Sequence, residues 1–256
     1  MTADRHSLHV FSPDAVDLNR MALLLDVDGT LLDIAPRPTD VTVPPALRPI
    51  LADLIERSGG AVALVSGRTI KTLDRLFSPL TLPAIGGHGA EIRLSAGGPI
   101  LRTPAGLSAS LRHELHLLAR ADPHVLVEDK RHSIALHYRQ APQQEAFLKG
   151  GVRKIVLNET DVEFLCGKFV IDIKPRLFSK GSAVLKLMAE RPFTGRVPLF
   201  VGDDTTDESV FAILPNLEGR GYSVGKQIAG AQGTFRSPQD VRSWLETVWG
   251  QGAKAT

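Results

Sequence analysis

Five apolar residues in a row, Met21-Ala22-Leu23-Leu24-Leu25, run directly into Asp26-Val27-Asp28-Gly29-Thr30. A short apolar run without period-two alternation reads as a strand buried on both faces, and such strands belong to parallel sheets covered by helices on either side. The rest of the chain repeats the theme. Leu47, Ile50, Leu51, Leu54 and Ile55 recur at helical spacing after Pro44-Pro45, and Ser58-Gly59-Gly60 stops that helix near residue 57. Residues 61–65 form a second apolar run ending in Ser66-Gly67-Arg68, and Thr69 starts another helix. Residues 83–85 read as a third short strand, and 90–94 with 99–101 as a hairpin across Ala96-Gly97-Gly98. Strands alternating with helices through short joints predict an α/β protein: a Rossmann-like, doubly wound parallel sheet.

The pattern then changes. Residues 107–120 read as a helix and 125–127 and 133–138 as strands. A second helix follows over 142–157, loosened at Gly150-Gly151, and then a tight hairpin of 162–165 and 169–173 around Cys166-Gly167. This is helix-strand-strand twice over, an α+β unit inserted into the core. Proline-containing joints place its limits at 104–177, with the core formed by 1–103 and 178–256. After it come a helix over 180–190, a strand over 197–201 ending in Gly202-Asp203-Asp204, and a helix capped by Thr206. A last core strand over 222–224 and a closing helix over 238–249 complete the core. Residues 1–18 read as a loosely held arm.

Composition excludes several functions. The 256 residues carry 30 basic and 28 acidic side chains, a net charge of +2, too balanced for a nucleic-acid or membrane-surface partner. The lone Cys166 excludes an intramolecular disulfide and a cysteine-based metal site. Residues 1–20 hold Asp4, Asp14 and Asp17 and no apolar stretch of a secretory leader. A cytoplasmic monomer acting on a small molecule is the expectation.

Three strand ends carry the chemistry: Asp26, Asp28 and Thr30 after the first, Ser66 after the second, and Asp203, Asp204 and Asp207 after the fourth. In a parallel sheet these ends open on one rim. A carboxylate such as Asp26 can attack phosphorus and form an aspartyl-phosphate. Asp28, two residues on, can hand a proton to the leaving group and later take one from water. So many carboxylates together repel by ~4 kcal/mol per close pair at an effective dielectric near 20. They need a cation, and an all-oxygen donor set selects a hard one, Mg²⁺. Asp26, the Asp28 backbone carbonyl and Asp203 are the expected direct ligands, with Asp204 and Asp207 acting through water or orienting the others. Thr30 and Ser66 offer hydroxyls, and Gly67 an amide at a helix start, to cradle a phosphate. Lys180, opening its helix, is placed to neutralise phosphate charge and hold Asp26 ionised.

These motifs, in this order, resemble the four of the haloacid-dehalogenase-superfamily phosphatases, whose members use an aspartyl-phosphate and Mg²⁺. Gly86-Gly87-His88-Gly89-Ala90-Glu91, Glu128-Asp129-Lys130, His137-Tyr138-Arg139 and Gly202-Asp203-Asp204-Thr205-Thr206-Asp207-Glu208 narrow the resemblance to the trehalose-6-phosphate phosphatases. It implies a core of that superfamily with the insert as a cap, and hydrolysis of a sugar phosphate in the cytoplasm. It further implies substrate contacts from Arg68, His88, Glu91, Glu128, Lys130, Arg139 and Asp172. Asp172 stands where that family carries a glutamate, one methylene longer. Spacing alone does not separate ligand contact from a surface role for Arg68 and Arg139, or from a turn role for His88. A phosphatase for another sugar phosphate (sucrose phosphate or glucosylglycerol phosphate) and a non-catalytic sugar-phosphate-binding module are the competing readings.

Overall fold

The computed structural model describes residues 16–252. Two sheets account for the strands among them. The larger contains eight: β1 (Met21–Leu25), β2 (Val62–Val65), β3 (Ala84–Gly86), β4 (Glu91–Arg93), β5 (Leu101–Arg102), β10 (Val197–Gly202), β11 (Arg220–Val224) and β12 (Gly233–Phe235). Their order is β12-β11-β10-β1-β2-β3-β4-β5. All neighbours from β12 to β3 run parallel, and β4 and β5 are antiparallel at one edge. The chain leaves β1 towards β2 on one side and returns at β10 on the other. The switch point, where doubly wound sheets bind ligands, therefore lies at the carboxyl ends of β1 and β10.

Side-chain alternation explains the apolar runs. Leu23 and Leu25 of β1 join Leu64 and Val201 in a core beneath α1 (Leu47–Arg57), α2 (Ile70–Phe77) and α7 (Pro238–Gly252). Ala22 and Leu24 point the other way, into a core with Ala63, Phe200 and the inner side of α5 (Lys180–Met188) and α6 (Glu208–Phe211). Both faces being dry, no position in the strand needs to be polar.

The second sheet is antiparallel, in the order β6-β7-β9-β8, from β6 (Leu126–Asp129), β7 (Ile134–His137), β8 (Val162–Gly167) and β9 (Val170–Pro175). One face is covered by α3 (Ala109–Ala119) and α4 (Glu145–Ile155). There Leu111, Leu115, Leu148 and Val152 pack on Ile134, Leu136, Ile171 and Ile173. The other face carries Glu128, Ala135, His137 and Asp172, the polar half of an ordinary antiparallel alternation. Lys174, 2% exposed, bonds both Glu163 and the Phe178 carbonyl, tying β9 to the joint that returns to the core.

The expected elements are present with five corrections. Helix α4 runs unbroken through Gly150-Gly151. A Cβ on Gly151 would lie 2.4 Å from a Leu118 methyl, so this glycine lets α4 approach α3 closely and does not loosen the helix. The β8–β9 turn is Lys168-Phe169, with Phe169 in the left-handed region at φ 64°, while Cys166-Gly167 end β8. The turn before α6 is capped by Asp204, whose carboxylate and that of Asp207 reciprocally accept backbone N–H groups, and Thr206 does not cap it. The edge strand β12 lies beyond the strand expected to be last. The arm lies outside the described residues up to position 15, but Leu18 is buried in the core. No helix among the described residues is long and apolar enough to cross a membrane.

Candidate active site

Asp26 continues β1 and donates its N–H to the Val201 carbonyl of β10. The chain then folds into a tight turn in which Leu31 and Leu32 donate to the Val27 carbonyl, with Gly29 at φ 84°. A side chain at Gly29 would be strained, and its Cβ would stand 2.2 Å from Asp203 Oδ2. The glycine therefore allows the β1 turn and the β10 end to close on each other. The carboxylates of Asp26, Asp203 and Asp207 each place an oxygen within 4.8 Å of the others.

Lys180, the first residue of α5, reaches into this group from the helix layer shared with α6. Its Nζ donates to Asp26 Oδ1 and Asp207 Oδ1, both at 2.7 Å, and is 3% exposed. The other oxygen of Asp207 accepts the N–H groups of Asp203 and Asp204 at 3.0 Å. Asp207 is thus fully engaged in shaping the loop and holding the lysine. The Asp28 carboxylate lies apart, paired to Arg68.

Asp26, Asp28, Lys180 and Asp203 floor a cleft of about 870 Å³, inside the ~300–1,000 Å³ typical of small-molecule sites, with Asp207 buried beneath its lining. The second sheet forms its roof. Strand register places Glu128, Ala135 and Asp172 in one row across β6, β7 and β9. The small Ala135 separates the two acids. Lys130 spans them, 2.8 Å from Asp172 and 3.9 Å from Glu128. His137 Nε2 lies 3.0 Å from Glu128 Oε2. From the floor, His88 brings Nε2 to 3.3 Å from Asp172 Oδ1, so roof and floor touch across the cleft. At the hairpin tip Arg139 stacks over Phe169, 5.0 Å from the ring centre, and Thr205 Oγ1 reaches the Cys166 carbonyl.

Residues 24–240 match the trehalose-phosphatase family. The chain belongs to that family. The trehalose-6-phosphate phosphatase of Escherichia coli (strain K12) is 39% identical over 230 residues, covering 90% of this chain and 86% of the relative. A probable trehalose-phosphate phosphatase of Sinorhizobium fredii is 36% identical, covering 91% and 89%. Among solved structures, the C-terminal domain of a C. albicans trehalose-6-phosphate phosphatase superposes with a TM-score of 0.81. It is 22% identical and covers 91% of this chain and 92% of that one, a likeness of fold. A Bacteroides thetaiotaomicron phosphatase of the HAD superfamily shares the fold at TM-score 0.60 and 17% identity, over 91% and 96% of the two chains.

The electrostatics of this trehalose-phosphatase family member divide at the cleft. On the floor, burial and the neighbouring Asp207 and Asp204 push Asp203 up to about 7. Burial, with Asp207 and Asp203 adding to it, raises Asp26 well above the usual range despite Lys180. Three carboxylates share one ammonium, an excess of negative charge that a cation would relieve. The donors are all oxygens, which suits a hard divalent ion. In the roof the balance is reversed. Burial raises Asp172, but Lys130 and His88 outweigh it and hold the carboxyl far below its usual value. Burial is likewise outweighed at Glu128 by His137 and Lys130.

Of the sequence-predicted residues, Asp26, Asp28, Ser66, Gly67, Arg68, His88, Glu128, Lys130, Arg139, Asp172, Lys180, Asp203 and Asp204 all line the cleft. Thr30 does not. It is wholly buried, with its hydroxyl 3.3 Å from Asp203 Oδ1, so it orients a carboxylate and cannot touch a phosphate from there. Glu91 is also absent from the lining. Its carboxylate accepts the Ile70 N–H at the start of α2 and the Arg102 guanidinium, because β4 runs antiparallel beneath that helix end. Asp204 lies outside the three-carboxylate group and caps the turn before α6. Sequence reasoning missed Lys168 at the hairpin tip, and Lys226 and Arg236 just beyond the ends of β11 and β12, all of which line the cleft. The strand-end rule that found Asp26 reaches Lys226 beyond β11, and reaches Arg236 once β12 is recognised.

Proposed function

We propose that this protein is a Mg²⁺-dependent phosphatase that hydrolyses trehalose 6-phosphate to trehalose and phosphate. The observation that carries the reading is Asp26 at the switch point, facing Asp203 and Lys180 beneath a roof of paired charged groups. Asp26 and Asp203, with the Asp28 backbone carbonyl, would hold Mg²⁺, and Asp207 and Asp204 would fix the loop that presents Asp203. When bound, Mg²⁺ supplies positive charge that keeps the carboxylates ionised and draws electron density from the phosphoryl oxygens.

Asp26 Oδ2, not engaged by Lys180, attacks phosphorus. The bond from phosphorus to the sugar oxygen breaks, and that oxygen takes a proton from Asp28. Trehalose leaves. A water then gives its proton to Asp28 and attacks the aspartyl-phosphate, releasing phosphate and restoring Asp26. Ser66 Oγ, the Gly67 amide and Lys180 hold the transferring group in line. Such positioning and charge compensation carry most of a phosphoryl transfer. The insert, residues 104–177, acts as a cap. Glu128, Lys130 and Asp172, row neighbours with donors and acceptors in one plane, suit the hydroxyls of a sugar, and closure over the floor excludes water.

Phosphate release tests this directly. Trehalose 6-phosphate is compared with sucrose phosphate and glucosylglycerol phosphate, with Mg²⁺ and after chelation. Turnover of the first far above the others, abolished by chelator and restored by Mg²⁺, is the expected result. Preference for another sugar phosphate would retain the chemistry and replace the substrate. Tight Mg²⁺-dependent binding without release would instead make this a regulatory binding module.

A further inference from the structure

Arg68 holds Asp28 in a two-pronged grip. Nε lies 2.6 Å from Oδ2 and Nη2 lies 2.7 Å from Oδ1, the parallel geometry of a guanidinium on a carboxylate. The guanidinium is itself fixed, because Nη1 donates to the Pro38 carbonyl at 3.1 Å. The residue's own N–H donates to Ser66 Oγ at 3.1 Å, so its backbone is set by the end of β2. Arg68 is 9% exposed, while the Asp28 side chain is one-third exposed and faces the cleft. A cation needed only to attract a phosphate requires none of this. One anchored on main chain and matched to both oxygens of a partly exposed carboxylate is built to set that carboxylate's rotation.

We propose that Arg68 is the positioning residue of Asp28. The inference rests on Asp28 being the proton-transfer group. Without the grip, the Asp28 side chain is free to rotate about two bonds. With it, the plane of the carboxylate is fixed relative to the Asp26 backbone two residues away. Each carboxylate oxygen has two lone pairs. The grip occupies one on each and leaves one on each for the proton exchanged with the sugar oxygen or with water. The guanidinium also has two N–H groups outside these three bonds, so it can meet the substrate without releasing Asp28.

A double-mutant cycle in Mg²⁺-loaded enzyme tests this, read as kcat/KM for trehalose 6-phosphate. Proton transfer by a positioned group is worth about 10²–10⁴-fold, so Asp28→Asn should lose that much. Arg68→Lys, which keeps the charge but not the two-pronged geometry, should lose roughly 10–10²-fold, mainly in kcat. In the Asp28→Asn background, Arg68→Lys should cost less than about threefold, because the group it positions no longer transfers a proton. Arg68→Gln, with its fold checked by circular dichroism, should show the same non-additivity. Equal losses from Arg68→Lys in both backgrounds, dominated by KM, would overturn the proposal and make Arg68 a substrate-binding cation. Near wild-type turnover by Asp28→Asn would overturn the reading of Asp28 on which the proposal rests.

Discussion

The floor and the roof of the cleft are built from opposite materials. The floor takes its groups from the ends of parallel strands and the start of a helix, and anchors them on main chain. Asp207 accepts two backbone N–H groups, and Asp26 itself donates to β10. It carries more negative charge than its one lysine balances. The roof takes its groups from the exposed face of an antiparallel sheet, where the charged side chains of the central row are matched by other side chains: Lys130 with Asp172, His137 with Glu128. The floor is geometrically rigid and electrostatically unfinished, as a site for a cation and an incoming phosphate should be. The central row of the roof is paired within itself, and its members occupy alternating strand positions that substitution can change without moving the backbone. Chemistry is thus fixed by topology, and selectivity is left to side chains.

The largest effect separating the two should come from Asp26→Asn. Phosphate release should fall by on the order of 10⁴-fold or more, while the thermal midpoint holds or rises, because one of three crowded buried carboxyls becomes neutral and Lys180 keeps Asp207. A folded variant that still releases phosphate would falsify the assignment of the nucleophile.

The buried lysines at the cleft, Lys180 in the floor and Lys130 in the roof, give the next contrast. Lys180→Met leaves Asp26 and Asp207 facing each other with no cation between them. Removing one partner of a buried pair costs ~3–5 kcal/mol, and both stability and turnover should drop. Lys130→Met should be milder for folding, since Asp172 retains His88 and Glu128 retains His137. Its loss should appear as a KM for trehalose 6-phosphate raised about 10–100-fold, the worth of a charged hydrogen bond to substrate. Urea unfolding and steady-state kinetics on both variants measure this. Equal destabilisation would erase the distinction between floor and roof.

The same division explains what could be read from the chain. The floor was legible because Met21–Leu25 and Val197–Gly202 are strands whose burial is written in consecutive apolar residues, with the acids immediately after them. Glu91 and Thr30 misled because local sequence says nothing of which way a buried polar side chain turns. One bonds a helix end and the other a neighbouring acid, both decided by tertiary packing. Gly150-Gly151 misled for a related reason: glycine propensity argues against a helix, but the close contact with Leu118 outweighs it. In the roof, Glu128 and Asp172 lie 44 positions apart, and only the register through Ala135 shows that they share a row. Strand β12, three residues long and free of any apolar run, left no signal of its own.

The smallest effect concerns His88, whose contact with Asp172 joins floor and roof. His88 sits at φ 56° with its ring enclosed, facing Asp172 and Lys130 of the roof and Lys180 of the floor. Burial lowers its affinity for a proton, and Asp172 only partly restores it. Its ordinary value is near 6.5, and the folded value lies below that. Below about pH 6.5 the unfolded chain therefore binds a proton that the folded chain refuses, and stability falls as pH drops through this range. The contribution is fully present above that pH and is lost on acidification, opposite in sign to a histidine gaining a carboxylate partner. His88→Asn tests it, because asparagine tolerates the left-handed backbone and does not titrate. Its unfolding free energy in urea, compared at pH 7.5 and 5.5, should change less than that of the wild type. An equal decline in the variant would mean that folding leaves the proton affinity of His88 unchanged, and a steeper one that His88 meets Asp172 as a charged ring, a salt bridge in place of a neutral contact.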